Sequence, residues 1–336
     1  MTKIHILPAT PETVAERLAD EKAVYVVHDR NVGAFARRIA GRLPGLQGIY
    51  SLSASEAEKT FDTVADICRW LLEKGAGRDA YVLGIGGGIT TDITGFAASV
   101  YKRGVRFAFV PTTLLAQVDA AIGGKNGVNL AAYKNMMGVF RQPEVTFICA
   151  EALDTLPGEE LLGGAAELLK SYLIDNTGDK YGQAVAVFSD LAARRAELPA
   201  LAAGAAAVKA AIVERDEFES GERRHLNLGH TFAHAIEKVS DGHISHGRAV
   251  SMGILLAARL SEALGVAPAG LEKQLRTDFK ACGLPVECPW PVSVLGGAMA
   301  KDKKAEGDAV RFVLLEGIGA VCTRVLSVSD VISILQ

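Results

Sequence analysis

The densest chemistry in the chain lies in Arg223–Val250, RRHLNLGHTFAHAIEKVSDGHISHGRAV, which holds five of the seven histidines. Three of them, His230, His243 and His246, sit directly beside a glycine. Read as one helix, Arg223 to Val239 sets Arg223, Asn227, His230 and His234 on a single stripe of 3.6-residue period. Leu228, Phe232, Ile236 and Val239 form a second, apolar stripe that can be buried. The polar stripe then presents a guanidinium, an amide and two imidazoles in a row. A glycine-containing turn leads to His246-Gly247 and an apolar, helix-like run from Ala249 to Leu264. An imidazole at a helix N-terminus feels the positive end of the dipole, which favours the neutral, metal-binding form. These residue types suit a metal centre with substrate-binding groups beside it. A helix with a solvated polar face has the same pattern, so the rest of the chain must decide between the two.

Elements that position such a stretch need two cores, and 336 residues are enough for roughly two domains. The composition, 49% hydrophobic and 22% charged, is that of an ordinary globular protein. A formal charge of -3 argues against nucleic-acid binding. No apolar run reaches the roughly eighteen residues of a membrane span, and MTKIHILPAT lacks the apolar core of a secretory leader. The five cysteines are odd in number and scattered, as expected of reduced thiols in a cytoplasmic protein.

The first half alternates strand-like and helix-like segments. Strands are expected at Lys3–Ile6, Val24–Val27, near Gly48–Leu52, at Tyr81–Leu83 and at Arg106–Val110. Helices are expected from Thr10-Pro11 to about Asp20, over Val32–Leu43, over Glu58–Leu72 and over Thr91–Val100. Such alternation with short links predicts an α/β domain with a parallel sheet and helices on both faces. From Leu153 on, alanine- and leucine-rich runs such as Glu159–Ile174 and Leu191–Glu214 predict helices, with no clear strand until Ala309–Leu315. The expected division is therefore an α/β domain at 1–153 and a mostly helical, all-α domain at 154–336.

Within the first domain, Gly86-Gly87-Gly88 sits where a strand hands over to a helix. Glycines there let backbone N–H groups approach a phosphate, although the spacing is not GxGxxG and a tight turn would look the same. Asp29, ending the second strand, is placed to bond a ribose hydroxyl or simply to cap a turn. The following segment is rich in donors: Arg103, then Val110-Pro111-Thr112-Thr113, then Gly123-Gly124-Lys125-Asn126, then Lys134-Asn135. Arg103, Lys125 and Lys134 suit a phosphate or carboxylate.

Five ordered blocks resemble the 3-dehydroquinate synthases of the sugar-phosphate cyclase superfamily. They are GIGGGITTDITGFAASVYKRG; VPTTLLAQVDAAIGGKNGVN with KNMMGVFRQP; GGAAELLKSYLI; NLGHTFAHAIE with SHGRAVSMG; and DKKAEG. The resemblance implies an N-terminal domain that binds NAD, a helical C-terminal domain, an active site in the interdomain cleft holding Zn2+ or another divalent ion such as Co2+, and a homodimer. It implies Glu167, His230 and His246 as metal ligands, with His234 the competing donor by spacing. Without it, Glu167 and Lys170 would read as a surface ion pair. By the same resemblance Lys209 and Arg223 hold a substrate carboxylate. Arg103, Lys125, Asn135, Lys170, Asn227, His234 and a lysine of Lys303-Lys304 make the other substrate contacts, with Lys125, Lys170, Asn227 and His234 catalytic. Asp29, Glu56, Lys59, Gly86, Gly87, Gly88, Asp92, Thr112, Thr113, Asp119 and Lys134 form the cofactor set. The implied reaction converts 3-deoxy-D-arabino-heptulosonate 7-phosphate to 3-dehydroquinate and phosphate, a step of the shikimate pathway, with no net redox.

Three positions depart from that pattern: Asn126 after the Gly-Gly-Lys, Cys149-Ala150 where an aspartate and a threonine are common, and Arg248 where a glutamate is usual. A cation beside a metal site is unfavourable unless it points outward or pairs with an acid. The competing readings are a sister cyclase making a valiolone or deoxy-inosose ring, and a metal-dependent polyol or glycerol-phosphate dehydrogenase. Retention of both Lys209 and Arg223 favours the synthase, and a structural Lys209–Asp216 ion pair is the plain alternative for Lys209.

Overall fold

The computed structural model describes residues 3–131, 133–299 and 309–336. Lys303 and Lys304 lie outside them. Two compact units emerge: Met1–Leu161 with Lys209–Glu217, and Leu162–Val208 with Phe218–Gln336. The first therefore runs beyond the expected break after 153 and includes the end of a later helix.

The first unit contains β1 (Ile6–Ala9), α1 (Pro11–Arg17), β2 (Val24–Asp29), α2 (Gly33–Ala40), β3 (Leu46–Leu52), α3 (Phe61–Glu73), β4 (Tyr81–Gly86), α4 (Gly88–Val100) and β5 (Arg106–Pro111). The hairpin strands β6 (Lys125–Leu130) and β7 (Tyr133–Phe140) and then β8 (Thr146–Cys149) follow. Six strands form a parallel sheet in the order β1-β8-β5-β4-β2-β3. Burial on both faces explains why β2 and β4 are apolar without visible alternation. Alternation nevertheless operates. Val24, Val26, Tyr81, Leu83 and Ile85 pack with Val14 and Ile39 of α1 and α2, whereas Tyr25, Val27 and Val82 pack with Ile67 and Ile93 of α3 and α4.

Sequence expectations hold for the type of these elements and shift at their ends. Thr10 caps α1 by accepting from Thr13 N, but the helix stops at Arg17. The first strand lies at Ile6–Ala9, three residues later than expected. The β6–β7 hairpin was expected only as a donor-rich loop. Its glycines and asparagines mask a strand, and it forms because Lys125 pairs opposite Phe140 and Gly127 opposite Gly138.

The second unit comprises most of α5 (Gly158–Ile174), α6 (Lys180–Ser189), α7 (Leu191–Arg194) and most of α8 (Leu198–Arg215). It continues with α9 (His230–Val239), α10 (His246–Ala263), α11 (Leu271–Ala281), α12 (Val292–Met299) and α13 (Val328–Leu335). It is not all-α: β9 (Ala309–Gly317) and β10 (Ala320–Ser327) pair as an antiparallel hairpin. By length and mean composition alone, the stretch Leu191–Arg215 is apolar enough to cross a membrane. Half of its most apolar window is buried inside the protein, as in a core helix.

One buried amide links two strand ends of the first unit. Gln117 is fully buried, and its Nε2 donates to Pro111 O at 3.1 Å and Cys149 O at 2.9 Å, tying the ends of β5 and β8 together. Gln117→Leu leaves two buried carbonyls without that donor. A loss of about 1–3 kcal/mol is expected in denaturant unfolding; an unchanged midpoint would show that the amide is dispensable.

Candidate active site

Strand β2 leads to a neighbour on one side of the sheet and β4 to a neighbour on the other, so the order reverses between them. That switch point opens a crevice beyond the carboxyl ends of the strands, the usual ligand position in such sheets. His28 of β2 pairs with Ile85 of β4, which brings Asp29 beside Gly86. Helix α4 starts there, three residues earlier than expected, with Gly87 as its N-cap and no side-chain cap. Its first-turn N–H groups lack an intrahelical partner, so the position suits an anion.

The three glycines have separate reasons. A Cβ at Gly86 would lie 2.5 Å from Thr90 Oγ1 and 2.6 Å from Thr90 Cβ, and one at Gly88 would lie 3.0 Å from Ala120 Cβ. Gly87 is extended, and a Cβ there would come within 3.1 Å of Thr113 Cγ2. Packing thus accounts for Gly86, whereas Gly87 is the one whose bareness leaves the approach to the helix end open.

The other expected cofactor residues fall around this point in the first unit. Asp29 accepts from Asn31 N at 2.9 Å, as a turn cap does. Thr112 N donates to Gly86 O at 2.9 Å, and Thr113 Oγ1 accepts from Ala116 N at 3.1 Å. Lys59 Nζ donates to Asp92 Oδ2 and to Asn135 Oδ1, both at 2.6 Å. Burial pushes the Asp92 carboxyl up to about 6 against the opposing pull of Lys59. Glu56 accepts from Asn129 Nδ2 at 2.7 Å, and Asn129 Oδ1 accepts from Asn135 N at 2.9 Å. Asn129, absent from the sequence reading, links Glu56 to Asn135. Lys134, Arg103 and Lys125 are exposed. Lys209 Nζ donates to Asp119 O and Oδ1, both at 2.7 Å. Asp119 is thus an acid partner of Lys209.

In the second unit the expected continuous stripe is broken. Glu222–Asn227 is a short 3-10 turn, and α9 begins only after Gly229, whose φ of +76° ends the first segment. Arg223 and Asn227 therefore do not share a helix with His230 and His234. Arg223 is 2% exposed, and Asn227 Nδ2 donates to Glu219 Oε1 at 2.5 Å. Glu219, at φ +60°, was not singled out from sequence, where it lies in an irregular, charged stretch.

Glu167, His230 and His246 come from α5, α9 and α10, and their donor atoms all lie within 4.8 Å of one another. Nε2 of His230 and of His246 lie 3.5 Å and 3.4 Å from Glu167 Oε1. A tetrahedral zinc with bonds of about 2.0–2.1 Å has ligand–ligand edges of about 3.3–3.4 Å. Both Glu167 oxygens are fully buried, with the two imidazoles facing Oε1. Lys170 makes an ion pair with Glu167, interior rather than on the surface. A buried carboxylate facing two imidazoles fits a divalent ion.

Electrostatics agree for two of the three ligands. Burial raises the Glu167 carboxyl, but Lys170 and the histidines outweigh it and hold it well below the usual range. Burial, with Lys170 nearby, holds His230 well below its usual value, so its contact with Glu167 is not an ion pair. Burial also opposes charge on His246, but hydrogen bonds to Glu167 and Glu237 raise it to about 10. The helix dipole therefore does not by itself keep His246 neutral, and a metal must displace its proton. His234 is exposed and is not one of the clustered donors; its ring centre lies 5.5 Å from that of His230.

Glycines bring these helices together. A Cβ on Gly247, next to His246, would lie 2.1 Å from Gly163 O, one turn before Glu167. A Cβ on Gly253 would lie 2.3 Å from Gly229 O, next to His230. Of the departures, Arg248 is exposed. Asn126 is buried and donates to Arg141 O at 2.7 Å and Gly124 O at 3.1 Å. Cys149 is buried at the end of β8, and burial pushes its thiol up to about 12.

Two family models cover most of the chain: 3-dehydroquinate synthase N-terminal at residues 49–163 and C-terminal at 164–305. The chain belongs to the 3-dehydroquinate synthase family. A 3-dehydroquinate synthase of Acidithiobacillus ferrooxidans is 44% identical over 271 residues, covering 80% of this chain and 74% of that protein. One of Pyrococcus abyssi is 40% identical over 309 residues, 92% of this chain and 91% of that protein. Among solved structures, a 2-epi-5-epi-valiolone synthase from Streptomyces hygroscopicus, with NAD+ and Zn2+ bound, superposes with a TM-score of 0.88 at 25% identity, covering 100% of this chain and 96% of that one. A 2-deoxy-scyllo-inosose synthase shares the fold, with a TM-score of 0.86 at 22% identity over 99% of this chain and 95% of that one.

Membership of the 3-dehydroquinate synthase family does not by itself explain the glycines, but packing does. Gly247→Ala is expected to cost about 1–3 kcal/mol or more, because backbone cannot yield as a side chain does. It should also weaken zinc binding while NAD binding persists. Gly297→Ala, with nothing within 4 Å of the added Cβ in α12, should stabilise by about 0.5–1 kcal/mol. Equal unfolding midpoints for the two variants would refute the close approach.

Proposed function

We propose that this protein is a 3-dehydroquinate synthase, a phosphorus–oxygen lyase that converts 3-deoxy-D-arabino-heptulosonate 7-phosphate to 3-dehydroquinate and phosphate in the shikimate pathway. The observation that carries this reading is the match of both halves of the chain to the two models of that family. When bound, NAD supplies a hydride acceptor that later returns the hydride, and Zn2+ or Co2+ supplies a Lewis acid for a ring hydroxyl. Between the two hydride transfers, a ketone next to the reacting carbon acidifies its C–H bond, so phosphate can leave by elimination. Ring opening and an intramolecular aldol step then close the carbocycle.

Glu167, His230 and His246 hold the metal, one carboxylate and two imidazoles leaving positions for substrate oxygens. Gly87 and the first turn of α4 receive the NAD pyrophosphate. Asp29, Glu56, Lys59, Asp92, Thr112, Thr113, Asp119 and Lys134 surround that cofactor. Lys170 keeps Glu167 ionised and reaches the substrate. His234 moves a proton on the substrate, and Asn227, oriented by Glu219, bonds a hydroxyl. Lys125, Arg103, Asn135 and a lysine of Lys303-Lys304 neutralise the phosphate. Arg223 binds the substrate carboxylate by two parallel hydrogen bonds. Lys209 already has Asp119 as an acid partner, so its charge does not require a substrate carboxylate, and Arg223 carries the discrimination from sister cyclases. A cytoplasmic homodimer completes the reading; all five cysteines are free thiols, as a reducing compartment requires.

Phosphate should be released from the heptulosonate phosphate with no accumulation of NADH. Stoichiometric NADH would instead indicate a dehydrogenase. Arg223→Ala should lose about ten- to a hundred-fold in kcat/KM on that acid, for a charge-assisted contact of roughly 1.5–3 kcal/mol. Turnover of sedoheptulose 7-phosphate, which lacks the carboxylate, by the unaltered protein in place of the acid would move the chain to the sister cyclases.

For the metal, His246→Ala should abolish zinc binding and His234→Ala should retain it; the reverse would overturn the ligand set. For the cofactor, Gly87→Val should weaken NAD binding while far-UV circular dichroism stays unchanged. Undiminished affinity in a folded variant would exclude the pyrophosphate from this position.

A further inference from the structure

Each histidine of the metal triad has its second ring nitrogen engaged. His230 Nδ1 lies 3.1 Å from Leu228 O, a backbone acceptor that turns Nε2 towards Glu167. His246 Nδ1 lies 3.4 Å from Glu237 Oε2, and its Nε2 lies 3.4 Å from Glu167 Oε1. The His246 ring is thus held between two carboxylates, one for each nitrogen.

Glu237 is i+7 from His230 and i+3 from His234, so it continues the α9 face that carries the histidines. It stands in the last turn of α9, where a carboxylate opposes the negative end of the helix dipole. Its side chain is only 17% exposed, against the habit of a solvated surface glutamate. Facing the first residue of α10 offsets both costs, because the N-terminus of that helix favours an anion.

From this geometry we infer that Glu237 is a positioning residue for the metal centre. It accepts the Nδ1 proton of His246, which fixes the tautomer with a lone pair on Nε2 and holds the ring at the angle needed by the ion. A ligand whose other nitrogen is anchored in this way loses less freedom on binding and is a stronger donor. His230 draws the same fixation from a carbonyl, so the two imidazoles differ: His246 is backed by a charge and His230 by a dipole.

The inference rests on the metal-site reading, and the test separates the two. The metal-free protein is titrated with Zn2+ against a chromophoric chelator, for the unaltered chain and for Glu237→Ala, Glu237→Gln and Glu167→Gln. Glu237→Ala should bind zinc about 10–100-fold more weakly, the usual cost of losing such a partner. Glu237→Gln, which still offers a carbonyl oxygen to Nδ1, should recover part of that loss. The visible spectrum of the Co2+-loaded protein should shift in Glu237→Ala, whereas the unfolding midpoint of the metal-free protein should not. Unchanged zinc affinity in Glu237→Ala, with zinc lost in Glu167→Gln, overturns the role of Glu237 alone. Zinc retained in Glu167→Gln overturns the metal site itself. Equal losses in Glu237→Ala and Glu237→Gln, with a lowered midpoint in both, make Glu237 structural and also overturn the inference.

Discussion

The second unit depends on how closely α10 approaches its neighbours. At Gly247 it meets the backbone of α5 beside Gly163, and at Gly253 it meets the backbone at Gly229, just before α9. A methyl group at either crossing would sit about 2 Å from a carbonyl oxygen, closer than any packed pair of atoms. Because Glu167, His230 and His246 lie within a turn of these crossings, their spacing is set by backbone contact rather than by flexible side chains. The three donor groups therefore stay within 4.8 Å of one another. The cost is a fully buried carboxylate, which a cation offsets: Lys170 in part, and a divalent ion more completely.

The first unit reaches a comparable arrangement by different means. A parallel sheet covered on both faces leaves few polar groups unpaired, apart from the ends of its strands and helices. Helix α4 begins at the switch point without a side-chain cap, although α1 and α3 nearby are capped by Thr10 and Thr60. A glycine there forgoes the stabilisation of a cap, about 1 kcal/mol, and leaves the N–H groups for a ligand. Around it Lys59, Asp92, Asn129, Asn135 and Glu56 are bonded to one another, so the polar groups on the hairpin and on α4 are already oriented.

A TM-score of 0.88 to a valiolone synthase at 25% identity shows how little of the fold distinguishes members of this superfamily. The fold alone therefore does not set the substrate. A planar guanidinium such as that of the buried Arg223 can match a carboxylate, and exchanging it needs no change of backbone.

Much of this was legible in the sequence. Period-2 and period-3.6 patterns located most strands and helices of the first unit. The ordered glycine, lysine and histidine blocks named the family, and through it Glu167, His230 and His246, which the fold brings together. Other features were decided only by tertiary structure. The Arg223–His234 stripe is continuous in sequence, but Gly229 takes a positive φ and divides it. The hairpin of β6 and β7 has no strand signal in its asparagines and glycines and exists through cross-strand pairing. The Glu167–Lys170 pair looks superficial at i, i+3 but is buried, and Lys209 finds Asp119, ninety positions away. Sequence spacing sets which groups can share a local element. Which charge meets which across the fold is set by the packing of elements far apart in the chain, and no local pattern encodes it.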